Sequence, residues 1–244
     1  MGIDSTCLEL ILRSQKYVTK RATVLTLGRQ GIHTPPTVVD ALFDAYDLPY
    51  LKGRYVWGWS EPLFQGLGFT EIDSLDYSAY EGASRIHNMN TALVAPVKRY
   101  DYIYDGGTIE HVFNIPQVCE NIIDSLNVGG IFCSVTCNNN LSGHGMYQFS
   151  PEFFLSAFRP KYGMEILELH IGIVGTGAEA WKDVNSFHRE GGGRNCTKFQ
   201  SLADVYILTI ARKVSDERSS LITDSPQQYS YEELDWKRMD PINR

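Results

Sequence analysis

The 244-residue sequence has no apolar run near the roughly 20 residues that a membrane-spanning helix needs, and its start lacks the basic-then-apolar order of a secretory signal. A soluble, cytoplasmic protein with no membrane partner is expected. Basic charge is also scarce: 22 Lys and Arg stand against 29 Asp and Glu, for a formal charge of −7 and a pI near 5.4. Phosphate neutralisation needs clustered cations, so an extended nucleic-acid groove is excluded. The five cysteines, Cys7, Cys119, Cys133, Cys137 and Cys196, are odd in number, scattered and without a CxxC pair. They indicate neither a disulfide framework nor a zinc cage, and reduced buried thiols are expected. The His and acidic residues form no recognisable metal spacing, so no metal is expected either. Internal repeats are absent. The start MGIDST and the triplets at Asn140 and Asn195 fit short lipidation and glycosylation templates that recur by chance, and they carry no weight here.

What is present suits one α/β domain, since 43% hydrophobic residues provide a full core. Residues 5–17 place Leu8, Ile11 and Leu12 at helical spacing behind a Ser/Thr cap. ATVLTLG, from Ala22 to Gly28, is a short β-branched run ending at glycine and reads as a buried first strand. Pro35 and Pro36 open a helix with Val38, Val39, Leu42 and Phe43 on its apolar face. Residues 49–69, rich in glycine and aromatics, lack sustained periodicity and read as an insertion. Strands follow at Thr70–Asp76 and Tyr100–Tyr104, a helix over Ile109–Leu126, and a strand in IFCSVTC after Gly129 and Gly130. This alternation predicts βαβ units and a parallel sheet covered on both faces. Two late runs, Met164–Val174 and Asp204–Val214, predict a strand pair. The domain is thus placed at 1–214, followed by a polar tail at 215–244. In that tail Tyr229, Tyr231, Leu234 and Trp236 offer a surface for docking on a neighbour, and a homodimer is compatible with it.

Four stretches carry candidate chemistry. VLTLGRQG places Gly28 and Gly31 after a buried strand, where glycine lets backbone approach a cofactor closely, although the full GxGxxG is absent and a plain turn fits equally. LDYSAYEGA puts Asp76 at the end of the second strand, in position to accept hydrogen bonds from both hydroxyls of a ribose. Asp73 and Glu81 are its rivals, and a helix cap at Asp76 is the alternative. YDYIYDGGTIEHVFNIP brings Asp105, Gly106, Gly107, Glu110 and His111 to a strand exit. NNNLSGHGMYQFSPEFF sets His144 between glycines with Tyr147 and Gln148 close by, on a strand-end loop of the kind that carries function in this architecture. Ser150, Pro151 and Glu152 then read as the cap and first turn of another helix.

In IDSLDYS, DGGTIEHVFN and NVGGIFCSVTCNN the sequence resembles the class I S-adenosylmethionine-dependent methyltransferases, particularly a subgroup whose fourth strand runs into a D-G-x-x-E-H turn. The resemblance extends from about Ala22 to Val214. It implies a Rossmann-like, doubly wound, mostly parallel seven-stranded sheet with a C-terminal antiparallel hairpin, and S-adenosyl-L-methionine as cofactor. By this resemblance Asp76 corresponds to the ribose-binding acid and Asn88 stands where an adenine-contacting Asp is usual; Asn still offers an acceptor. Asp105, Gly106 and Gly107 would flank the methionine part, with Glu110 at the positive end of the following helix. The acceptor is then a small molecule, a sugar or another hydroxyl-bearing metabolite. His144 is the expected general base, and His111 is the second catalytic candidate unless it merely braces the turn. The polar excursion 176–199, with Trp181, His188 and Arg194, suits a lid or acceptor-recognition loop, or has no role. N-methylation, an NAD-dependent oxidoreductase and a silent binding domain are the competing readings.

Overall fold

Residues 2–53, 58–184 and 201–227 are described by a computed structural model. The chain opens with β1 (Gly2–Ile3) and α1 (Ser5–Ser14). Asp4, rather than a Ser or Thr, caps that helix, because its carboxylate accepts the Cys7 N–H at 2.8 Å; such a cap stabilises by about 1 kcal/mol. β2 (Thr23–Leu27), β3 (Gly31–Ile32) and α2 (Pro36–Ala45) follow as the sequence pattern predicts, apart from the short β3. Among the described residues of the expected insertion, β4 (Gly58–Trp59) pairs with β3, and α3 (Glu61–Gly66) buries Leu63 and Phe64. Two inward side chains on a six-residue helix are too few to register as periodicity.

Next come β5 (Glu71–Asp76), β6 (Arg85–Ile86) and β7 (Tyr100–Gly106). The helix expected from Ile109 starts later. Ile109–His111 form a single 3-10 turn, and α4 runs Ile115–Asp124, with Pro116 in its first turn. Proline supplies no N–H but accepts the first-turn position, so the helix begins beside it. β8 (Leu126–Asn139), α5 (Pro151–Ala157), β9 (Met164–Ile173), β10 (Lys182–Asp183), β11 (Val205–Lys213) and α6 (Leu221–Asp224) complete the described chain. Ser150 precedes α5 but makes no side-chain cap bond, so Pro151 and Glu152 are the parts of that expected signal that the helix uses.

The main sheet has the order β10-β9-β11-β8-β7-β2-β5-β6, eight strands rather than seven because the two-residue β10 adds an edge. β8, β7, β2, β5 and β6 are parallel, while β11 runs antiparallel between β8 and β9 and forms the terminal hairpin. Alternation along the strands feeds two cores. Leu25, Leu27, Ile103 and Phe132 face α4 and α5, whereas Val24, Tyr102, Tyr104 and Ile131 face α1, α2 and α3. Both faces are covered, as a doubly wound fold requires. Beyond β11 the chain is strapped down: Arg218 reaches Glu120 at 2.6 Å and Asp124 at 2.7 Å, and Leu221 enters the core under α4. No helix among the described residues is long and apolar enough to cross a membrane.

Candidate active site

The chain leaves β2 toward β5 but reaches β7 on β2's other side, so the order of connections reverses between β2 and β7. Ligands of open α/β sheets sit at such a reversal, beyond the carboxyl ends of the strands. Here Leu27 pairs with Asp105, and its carbonyl accepts Gln30 Nε2 at 2.6 Å and Thr108 Oγ1 at 2.7 Å. The turns after β2 and β7 are therefore tied together at the crevice floor. Gly28 has φ +68, a conformation costly for any side chain, and its N–H donates to Leu75 O at 2.7 Å. Gly106 is required by close approach: a Cβ there would lie 2.8 Å from Tyr104 Oη and 2.9 Å from Gln30 Oε1. Gln30 Oε1 is buried and has no hydrogen-bond partner among the described residues.

Gly107 also has positive φ, +84, and a Cβ there would meet Glu110 Oε1 at 3.1 Å. Gly31 lies apart from this floor, in the small sheet where β3 pairs with β1 and β4. Asp76 ends β5 beside Gly28, with Oδ1 accepting the N–H groups of Tyr77 and Ser78. No helix forms over 77–83, so Asp76 caps a turn, not a helix. Its rival Asp73 is already engaged by Lys98, Arg85, Tyr100 and Ser84. Burial pushes Asp73 up, but these four donors outweigh it and hold the carboxyl well below the usual range. Glu81 contributes its backbone carbonyl to Arg29 at 3.0 Å, and Arg29 also pairs with Glu61 at 2.7 Å. Asn88 turns inward on its own loop, where Oδ1 accepts from Asn90 N and Nδ2.

Asp105 is fully buried, accepting from Thr108 N at 2.9 Å and Ser134 Oγ at 2.8 Å. Burial first, and then the charge of Glu110, push its pKa up to about 7. The folded chain therefore holds a proton that the unfolded chain releases near pH 4. The stabilisation is complete below about pH 4 and is lost as pH rises through about 7. Asp105→Asn, whose amide can donate to the Ser134 oxygen, should remove that slope: wild type should lose denaturation midpoint relative to the variant between pH 4 and 7. Parallel midpoint-versus-pH curves would show that Asp105 does not titrate in this window.

At the ends of β7 and β8, three side chains distant in sequence converge. Glu110 is 1% exposed, Cys137 Sγ donates to its Oε1 at 3.3 Å, and His144 Nε2 lies 3.8 Å from the same oxygen. Their ligating atoms all fall within 4.8 Å of one another, an N/O/S trio of a kind that can hold a metal and that sequence spacing did not reveal. His111 stacks edge-on against His144 at 4.9 Å, with its own side chain exposed. Tyr147 donates to Phe113 O at 2.8 Å, and Gln148 Oε1 accepts from Leu141 N at 3.3 Å, so both brace the His144 loop. Trp181 is buried against Gly172 and Leu208 and donates to Thr176 O at 3.3 Å, a packing role at the sheet edge. His188 and Arg194 lie outside the described residues.

No protein-family model matches the chain, and no curated protein does. Among solved structures it is similar to TehB from Haemophilus influenzae, at 15% identity and a TM-score of 0.45, over 83% of this chain but only 61% of that one. It is also similar to the Burkholderia thailandensis 1,6-didemethyltoxoflavin-N1-methyltransferase, with 14% identity, a TM-score of 0.46 and coverage of 86% and 78%. A third is the O-methyltransferase of a trans-AT PKS multienzyme of Brevibacillus brevis, with 15% identity, a TM-score of 0.43 and coverage of 83% and 71%.

Proposed function

We propose that this chain, with residues 1–214 as its catalytic domain, is an S-adenosylmethionine-dependent methyltransferase acting on a hydroxyl of a sugar or other small metabolite. The observation that carries this reading is the reversal of strand order between β2 and β7, with Asp76 at the end of β5 on one side and the Glu110–His144 pair beyond β7 on the other. The cofactor fits the residues present. Gly28 turns the chain at the end of β2 with no side chain, Asp76 suits two ribose hydroxyls, and the unpaired Gln30 Oε1 offers an acceptor to a polar amino-acid end.

When bound, the cofactor supplies an electrophilic methyl on a sulfonium: the acceptor O–CH3 bond forms as the S–CH3 bond breaks, leaving a neutral thioether. The chain's own contribution is to hold the acceptor oxygen in line, where proximity alone supplies much of the acceleration, and to remove its proton. His144, half-exposed at the loop tip, takes that proton. Calorimetric titration should detect S-adenosylmethionine and S-adenosylhomocysteine and no NAD. Binding of NAD with neither methyl-cycle compound would instead favour the oxidoreductase reading.

A further inference from the structure

The loop carrying His144 is built directly on Glu110. Met146 N and Tyr147 N both donate to the Glu110 carbonyl, at 2.8 and 3.2 Å. Gly145 adopts φ +71, and a Cβ on it would come within 2.9 Å of Glu110 Cγ and 3.0 Å of Glu110 O. A side chain at position 145 would thus push the loop off this residue. The His144 N–H closes the turn on Leu141 O at 2.8 Å. The result is a half-exposed imidazole whose Nε2 faces a buried carboxylate.

That carboxylate is incompletely satisfied. Oε1 receives the Cys137 thiol, a weak donor, while Oε2 is buried without a partner among the described residues. An unpaired buried carboxylate oxygen is costly, and the His144 ring stands 3.8 Å from the other oxygen of the same carboxylate. At 3.8 Å the two atoms are outside hydrogen-bond distance, and contacts between catalytic groups commonly tighten in the reacting complex. The turn itself holds Glu110 away from α4, which begins only at Ile115, so its charge serves the loop and not a helix end.

We propose that Glu110 is the positioning residue of His144: its carboxylate holds the proton on Nε2, leaving Nδ1 as the atom that takes the acceptor's hydroxyl proton. This rests on the methyltransferase reading, and it moves Glu110 from the cofactor side to the acceptor side of the crevice. As the proton arrives on Nδ1, the positive ring is stabilised by the carboxylate behind it, and no bond to Glu110 is made or broken.

The test is long-range 15N–1H NMR of the full chain with S-adenosylhomocysteine, with the His144 signals assigned by their loss in His144→Asn. Wild type should show a neutral ring protonated on Nε2. Glu110→Gln, which keeps shape but can donate as well as accept, should show mixed tautomers and turnover lower by about tenfold or more, at S-adenosylhomocysteine affinity within about twofold. A wild-type ring protonated on Nδ1 would overturn the proposal, as would identical spectra in the two proteins. Elemental analysis finding one zinc per chain would do the same, since a metal would occupy the Nε2 lone pair. If Glu110→Gln does not fold, the wild-type tautomer still decides. Absence of S-adenosylhomocysteine binding would sink the methyltransferase reading, while the tautomer remains measurable in the protein alone.

Discussion

His144→Asn should lower turnover of a hydroxyl acceptor by roughly 100- to 10,000-fold, the range a general base contributes, with S-adenosylmethionine affinity unchanged. The asparagine stays polar and reaches about as far as Nδ1, yet it cannot take up a proton. Cofactor binding should survive because the loop is held by backbone bonds, from Met146 and Tyr147 to Glu110 O, that the substitution does not touch. His111→Asn is the matched control. Its side chain is exposed and meets His144 only edge-on, at 4.9 Å, so the 3-10 turn should keep its backbone bond to Thr108 O and the loss should be far smaller. An initial-rate comparison decides between them. A His144→Asn protein that turns over at near wild-type rate would reduce His144 to a shaping residue of the acceptor pocket.

Asp76→Ala should weaken S-adenosylmethionine binding by about 1.5 to 3 kcal/mol, the value of a charge-assisted hydrogen-bonding partner, or about 10- to 150-fold in Kd. Among the described residues Oδ1 of Asp76 is engaged only by the local N–H groups of Tyr77 and Ser78, so the carboxylate keeps acceptor capacity for a ligand. Asp73 is the contrast. It receives Lys98 at 2.7 Å, Arg85 at 2.8 Å and Tyr100 at 2.7 Å, so Asp73→Ala should leave cofactor affinity near wild type and lower the denaturation midpoint instead. Removing Asp73 takes the carboxylate partner from Arg85 and the Tyr100 hydroxyl, while Lys98 keeps Glu71. Calorimetry and chemical denaturation of the two variants separate the roles. Equal Kd for wild type and Asp76→Ala would remove Asp76 from the ribose site.

The local elements were legible wherever one physical signal dominated. TVLTL and YDYIYDG are β-branched or aromatic runs ended by glycine, and both became buried strands with Gly28 and Gly106 at their exits. Legibility failed where signals competed. Apolar residues continue from Ile109 into the helix, but Pro116 and the Asn114 turn move its start to Ile115 and free Glu110 and His111 for the crevice. In α3 the core takes only Leu63 and Phe64, and the surrounding glycines and aromatics hid the helix.

By itself the sequence determined the strand and helix alternation, the doubly wound class, the terminal hairpin and the placing of Asp76 at a strand end. These follow from periodicities of two and 3.6 residues, which are local properties of the chain. The tertiary structure alone decided which polar groups meet. Asp73 and Asp76 look alike as letters, and only the arrival of Lys98, Arg85 and Tyr100 occupies one and leaves the other open. Glu110, Cys137 and His144 share no spacing in the sequence. They converge because β7 and β8 are parallel neighbours, with Gly106 opposite Val135, so Cys137 near the end of β8 and the residues just past both strands meet at the same edge. Register between strands is set by packing across the whole sheet, and that is why the acid–imidazole pair could not be read from either segment alone.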